Sequence, residues 1–118
     1  MDLFTERILD LAVKIQQISA PTFAEGPRAE FVLNEFVKQR LRDVSMDSLH
    51  NVFARLAGGH VTRPLIVSAH LDTVFHSNMQ QAPSREAGRI SGPGIGDNSL
   101  GVASLLGLIW RLQGVAWP

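Results

Sequence analysis

The chain contains no cysteine. Disulfides are excluded, and with them a thiolate zinc site and a cysteine nucleophile. A reducing compartment suits such a chain, and we expect a cytoplasmic protein. No sign of charge dominates, because 11 Lys and Arg balance 11 Asp and Glu. That balance gives nucleic acid or an anionic membrane nothing to hold. Arg7, Lys14, Arg28, Lys38, Arg40 and Arg42 are interleaved with Glu6, Glu25, Glu30, Glu35 and Asp43, as on solvated helix faces. Long hydrophobic runs are also missing. The longest, Leu100 to Trp110, is broken by glycines and a serine and falls well short of the ~18 residues of a membrane span. Met1 to Glu6 lacks the basic start and apolar core of a secretory signal. A soluble chain without a membrane partner is therefore expected. Repeats and low-complexity tracts are absent. No Gly-x-Ser-x-Gly elbow surrounds Ser68 or Ser99, which removes a serine nucleophile. The glycines at 92, 94 and 96 do not have dinucleotide- or phosphate-loop spacing.

What remains is one domain's worth of patterned sequence, 118 residues long. Phe4, Ile8, Leu11, Ile15 and Ile18 recur at helical steps and predict a helix over residues 2–19, stopped by Pro21. Gly26-Pro27 opens a second helix with Phe31, Val32, Phe36, Val37 and Leu41 on its apolar face. Residues 43–47 read as a short strand. Residues 51–57 alternate Val52, Ala54 and Leu56 against Phe53 and Arg55, a second strand ended by Gly58-Gly59. Arg63-Pro64 introduces a third, Leu65 to Ala69, whose continuous apolar run predicts burial on both faces. The polar stretch 75–91 has room for a hairpin at Ala87-Gly88. A last helix is expected over residues 98–112, with Val102, Leu105, Leu106 and Ile109 inward. Gly101 and Gly107 would bring it close to the sheet. The order predicts an α/β layer architecture. The end, Gly114 to Pro118 with Trp117, reads as the approach to a further element.

The chemistry concentrates after the third strand. His70 and Asp72 lie two residues apart, so strand alternation projects them from one face. Imidazole and carboxylate together suit a metal ligand whose second ring nitrogen is held by an acid. Taken singly, the pair reads sooner as a hydrogen-bonded histidine at a strand end. Asp97 adds a carboxylate where Gly92-Pro93-Gly94-Ile95-Gly96 turns into a helix, a place where plain capping is the alternative. Beside His70 and Asp72, a bridging carboxylate becomes the better reading of Asp97. Zinc is the metal that such ligands favour, with manganese or cobalt as substitutes. His50 and His60 lie by turns, and His76 follows Asp72 in a loop; all three are expected to be bystanders.

Leu65 to Val74, and Arg89 to Ser99 with the apolar helix after it, resemble the co-catalytic zinc exopeptidases and deacylases. These form metallopeptidase family twenty, which includes acetylornithine deacetylase, succinyl-diaminopimelate desuccinylase and glutamate carboxypeptidase. Ile18 to Glu25 resembles that family's N-terminal signature. The resemblance implies the N-terminal portion of a three-layer αβα catalytic domain with an incomplete sheet. It implies two zinc ions, with His70 a ligand to one and Asp97 bridging both. Asp72 would be the catalytic-site carboxylate that orients His70. A cis peptide is implied after the aspartate, at Asp97-Asn98. The implied substrate is a peptide or an N-acyl amino acid, cleaved by a metal-activated water whose proton a glutamate takes. A related aminopeptidase group also carries Asp-Asn before a small-residue helix and is a close alternative.

The sequence departs from that family in three respects. No Glu-Glu pair follows the helix near Asn98, a further acidic ligand and a late histidine cannot be assigned, and no dimerisation domain is present. We therefore expect residues 1–118 to be one partial catalytic domain, the N-terminal piece of a longer enzyme. We expect it to bind metal weakly and to be inactive alone. Its unpaired sheet edge would invite homodimerisation. A non-catalytic scaffold or partner-binding remnant is the reading from another class.

Overall fold

The first helix, α1, spans Leu3–Gln16 in a computed structural model that describes residues 1–58, 63–79 and 82–114. Asp2 caps it, with its Oδ1 accepting the Thr5 amide at 2.7 Å, so one of the orphan donors of the first turn is satisfied. The helix is shorter than the apolar stripe predicts, and Pro21 is not what stops it. The Ile18 amide closes onto the Ile15 carbonyl at 3.0 Å, a tightened last turn that ends the helix. The second helix, α2, spans Gly26–Lys38 with Pro27 in its first turn, where a missing N–H costs nothing.

The inward face of α2 is turned from the expected one. Arg28, Ala29, Val32 and Phe36 are buried, while Val37 is 59% exposed. Arg28 is thus no solvated cation but stands in the row 28–32–36 that faces the core. Arg40 then adopts a left-handed φ of 57° and turns the chain into β1, Arg42–Met46. This pairs antiparallel with β2, Val52–Arg55, aligning Met46 with Val52 and Ser45 with Phe53. Asp47 builds the turn. Its Oδ1 accepts the Leu49 and Asn51 amides at 3.0 and 2.8 Å, and its Oδ2 accepts Asn51 Nδ2 at 2.9 Å. The β2 alternation follows the sequence, with Val52 and Ala54 half-buried and Phe53 and Arg55 exposed.

Residues 65–69 do not form the buried strand expected of them. Leu65 and Ile66 are 88% and 85% exposed. An apolar strand is buried on both faces only when strands flank it and helices cover it, and no strand among the described residues pairs with this one. The hairpin at Ala87-Gly88 is present, as β3, Ser84–Glu86, antiparallel to β4, Arg89–Ser91. Arg85 ties it to α1 by Nη1 on Asp10 Oδ1 at 2.6 Å and Nη2 on Glu6 Oε2 at 2.5 Å.

The third helix, α3, spans Leu100–Gln113. It starts later than expected because Asp97 and Asn98 have non-helical backbone. It packs on α1 rather than on a sheet. A Cβ at Gly107 would lie 2.6 Å from Ile8 Cδ1, so glycine there permits a close helix–helix approach. The core joins Ala12 and Ile15 of α1, Val32 and Phe36 of α2, and Val102, Ala103, Leu106 and Ile109 of α3. The fold is α/β, three helices with two small antiparallel sheets. No helix among the described residues is long and apolar enough to cross a membrane. Gly59, His60 and the apolar end at Val115 to Pro118 lie outside the described residues.

Candidate metal centre

His70 reaches its place through a stack of backbone attachments. The Thr73 amide donates to the Ala20 carbonyl at 2.8 Å, within a parallel bridge between Pro21 and Thr73. The Arg28 guanidinium joins the same two segments from α2. Its Nη1 donates to the Leu71 carbonyl at 2.7 Å, and Nε and Nη2 donate to the Ile18 carbonyl at 3.0 and 2.7 Å. Burial pushes the Arg28 pKa down, and nearby Asp72 opposes that shift. A planar fork that serves two carbonyls at once is a task lysine could not perform.

The turn after Pro21 supplies the next link. The Ala24 amide closes onto the Pro21 carbonyl at 2.7 Å, and the Phe23 amide is held by Glu25 Oε1 at 2.7 Å. This fixes Thr22, whose hydroxyl donates to Asp72 Oδ2 at 2.7 Å. The other Asp72 oxygen lies 3.1 Å from His70 Nδ1, and the Asp72 carbonyl lies 3.2 Å from the same nitrogen. The Thr22 hydrogen bond, aided by His70, holds the Asp72 carboxyl below the usual carboxylate range despite its partial burial.

Asp97 arrives from a glycine loop pinned at both ends. Gly94 has φ 73°, and a Cβ there would stand 3.0 Å from Thr73 Oγ1, so both conformation and space require glycine. Gln16, fully buried in α1, donates from Nε2 to the Pro93 carbonyl at 2.8 Å and also bonds the Gln17 side chain. The Ser99 amide reaches the Gly94 carbonyl at 3.2 Å, closing a wide turn. Asp97 caps no helix, since α3 starts from Ser99 without a side-chain cap. The Asp97-Asn98 peptide is cis. Asn98 Nδ2 donates to the His70 carbonyl at 3.1 Å.

These attachments bring His70 Nε2 to 3.0 Å from Asp97 Oδ1. Asp72 offers only acceptors to Nδ1, so Nδ1 carries a hydrogen. The opposite nitrogen also faces a carboxylate. Either Nε2 is protonated too, or its lone pair meets a cation shared with Asp97. With metal–ligand distances of about 2.0–2.2 Å, neighbouring N and O ligands on one tetrahedral zinc stand about 3.3–3.6 Å apart. The pair therefore fits a shared divalent ion in donor type, and its two atoms need to part by only a few tenths of an ångström to admit one. It is open to solvent, with the His70 and Asp97 side chains 54% and 80% exposed. Among the described residues no group of three or more His, Cys, Asp or Glu side chains could hold a metal ion.

All three residues singled out in the sequence thus meet, His70 standing between Asp72 and Asp97. His76 is exposed, its carbonyl accepting the Met79 amide at 2.9 Å. His50 is exposed beside Gly26. Sequence reasoning gives Thr22, Gln16 and Asn98 no role as partners of the site; Thr22 enters only within the Ile18–Glu25 signature and Asn98 only in the implied cis peptide. In sequence Arg28 reads as a solvated helix charge, although it stands at helical spacing from Val32 and Phe36.

Residues 51–115 match the profile of Peptidase family M28. The match covers more than half of the chain and contains both the His70–Asp72 segment and the Asp97 loop. The chain belongs to this family, whose members are zinc-dependent metallopeptidases. No curated protein matches the chain.

Proposed function

We propose that His70 and Asp97 are zinc ligands and that the chain supplies part of the dinuclear centre of an amide-bond hydrolase. The observation that carries this is the 3.0 Å approach of Nε2 to Oδ1 across 27 residues of sequence, in a chain of a zinc peptidase family. Zinc bound there supplies a water of lowered pKa and a Lewis acid for the scissile carbonyl. The chain's own residues prepare the ligands. Asp72 keeps the hydrogen on Nδ1 and the lone pair on Nε2, Thr22 anchors Asp72, and Asp97 would supply the carboxylate beside His70 that holds the metal. The family match favours a peptide substrate. The Gly92-Pro93-Gly94-Ile95-Gly96 lead-in favours the exopeptidase and deacylase family over the aminopeptidase group, and on that reading an N-acyl amino acid is the alternative substrate.

The isolated chain hydrolyses no amide on this reading, because among the described residues no third ligand or glutamate base joins His70 and Asp97. Zinc or cobalt added to the chain should shift the His70 ring resonances, with a weak dissociation constant. Asp97→Ala should abolish that shift, and His76→Ala should leave it intact. Unchanged binding in Asp97→Ala would refute the shared site. Amidase turnover by the purified chain would refute its inactivity.

A further inference from the structure

We infer that Gly101 is the seat of a clamp that positions His70 toward Asp97. The inference rests on the reading of His70 as a zinc ligand. A Cβ at Gly101 would lie 2.0 Å from Asn98 Oδ1, 2.6 Å from its Cγ and 2.8 Å from its Nδ2. The Asn98 amide group thus occupies the space that any other residue at 101 would fill. Glycine in a helix costs about 1 kcal/mol relative to alanine, so its presence in the first turn of α3 calls for a compensating contact. That contact is the hydrogen bond from Asn98 Nδ2 to the His70 carbonyl at 3.1 Å.

This bond joins the two segments that carry the ligands. Asn98 follows Asp97 directly, and its partner is the peptide of His70 itself. Arg28 and Ala20 grip the same segment further on, at Leu71 and Thr73. The His70 and Asp97 side chains are too exposed for packing to orient them. Their spacing therefore depends on hydrogen bonds, and beside the His70–Asp97 contact itself Asn98 makes one that crosses from the Asp97 segment to the His70 backbone. Gly101 is a positioning residue that acts through Asn98.

Two readouts on the full chain test this. In the metal-free protein, the Asn98 side-chain amide should show slowed hydrogen exchange and scalar coupling to the His70 carbonyl, and Gly101→Ala should abolish both. In zinc titrations followed on the His70 ring, Gly101→Ala, Asn98→Ala and the double variant should each weaken binding by the same factor. Loss of an outer partner of a ligand typically costs about 10-fold. Gly107→Ala is the control, because it strains α3 against Ile8 away from the site. It should lower the melting temperature and leave the zinc dissociation constant unchanged. Losses that add in the double variant, wild-type zinc affinity in Gly101→Ala, or an equal loss in Gly107→Ala would overturn the clamp. If Gly101→Ala fails to fold, wild-type affinity in Asn98→Ala overturns it alone. Zinc that leaves the wild-type His70 ring unmoved overturns the metal reading. The Asn98 amide, retained in Gly107→Ala and lost in Gly101→Ala, then decides the clamp separately.

Discussion

Replacing Arg28 by alanine tests how the site is suspended. The side chain is 1% exposed and serves two carbonyls, Ile18 and Leu71, with three donors. Truncation leaves both acceptors without partners. An orphaned buried acceptor costs about 1–3 kcal/mol, and these two, being only partly buried, belong in the lower half of that range. Removing a desolvated charge returns some free energy, which again favours the low end. We expect a net loss of about 2–3 kcal/mol. At roughly 4 °C per kcal/mol for a chain of this size, the melting temperature should fall by about 10 °C. Urea unfolding followed by circular dichroism gives the free energy directly. Arg28→Lys should recover less than half of the loss, since an ammonium keeps the charge but not the fork. If Arg28→Ala lost under 0.5 kcal/mol (about the scatter of surface substitutions), the guanidinium would not be the staple described. If Arg28→Lys were as stable as wild type, charge alone and not geometry would matter.

Three further expectations follow from the same kind of argument. Asp47 is held below its ordinary pKa of 3.8 chiefly by the Asn51 side chain and then by the Asn51 amide. A depressed carboxyl contributes stability that is complete above the unfolded pKa and disappears as pH falls through the folded one. Asp47→Ala should therefore narrow the stability gap between neutral pH and pH 3 seen in urea titrations; an unchanged acid profile would contradict the turn assignment. Gly107→Ala should cost about 1–3 kcal/mol in chemical unfolding through overpacking against Ile8, and a neutral result would show that α1 and α3 are free to move apart. Gln16→Leu removes the donor to the Pro93 carbonyl and should speed amide hydrogen exchange across residues 94–99, leaving the β1–β2 hairpin unchanged; equal acceleration in both would mean global loosening instead.

Local rules made part of this molecule readable. Helix α2 begins where Gly26-Pro27 says it should, the Ala87-Gly88 turn makes its hairpin, and alternation assigns the faces of β2. His70, Asp72 and Asp97 stood out by residue type beside an apolar run and a glycine-rich loop, and the structure brings the three side chains together. The misreadings share one cause. Apolar character alone placed Leu65 to Ala69 in a buried strand, but a strand needs neighbours, and pairing is a property of the whole sheet. Arg28 looked like surface charge because composition cannot reveal two distant carbonyls awaiting a fork. Thr22, Gln16 and Asn98 act across 50, 77 and 28 residues respectively. No window of sequence contains both ends of such bonds. The end of α1 was misplaced because a tightened turn at Ile18, not the conspicuous proline, stops it.

The bare run at Leu65, Ile66 and Val67 leads without interruption into the imidazole at position 70. Ordering this segment would stiffen the peptide bearing His70 and reduce the entropy lost when a cation is captured. By reciprocity, a captured cation would order the segment by an equal factor. Order at Leu65 to Val67 and occupancy at His70 would then be two sides of one equilibrium, readable from either end.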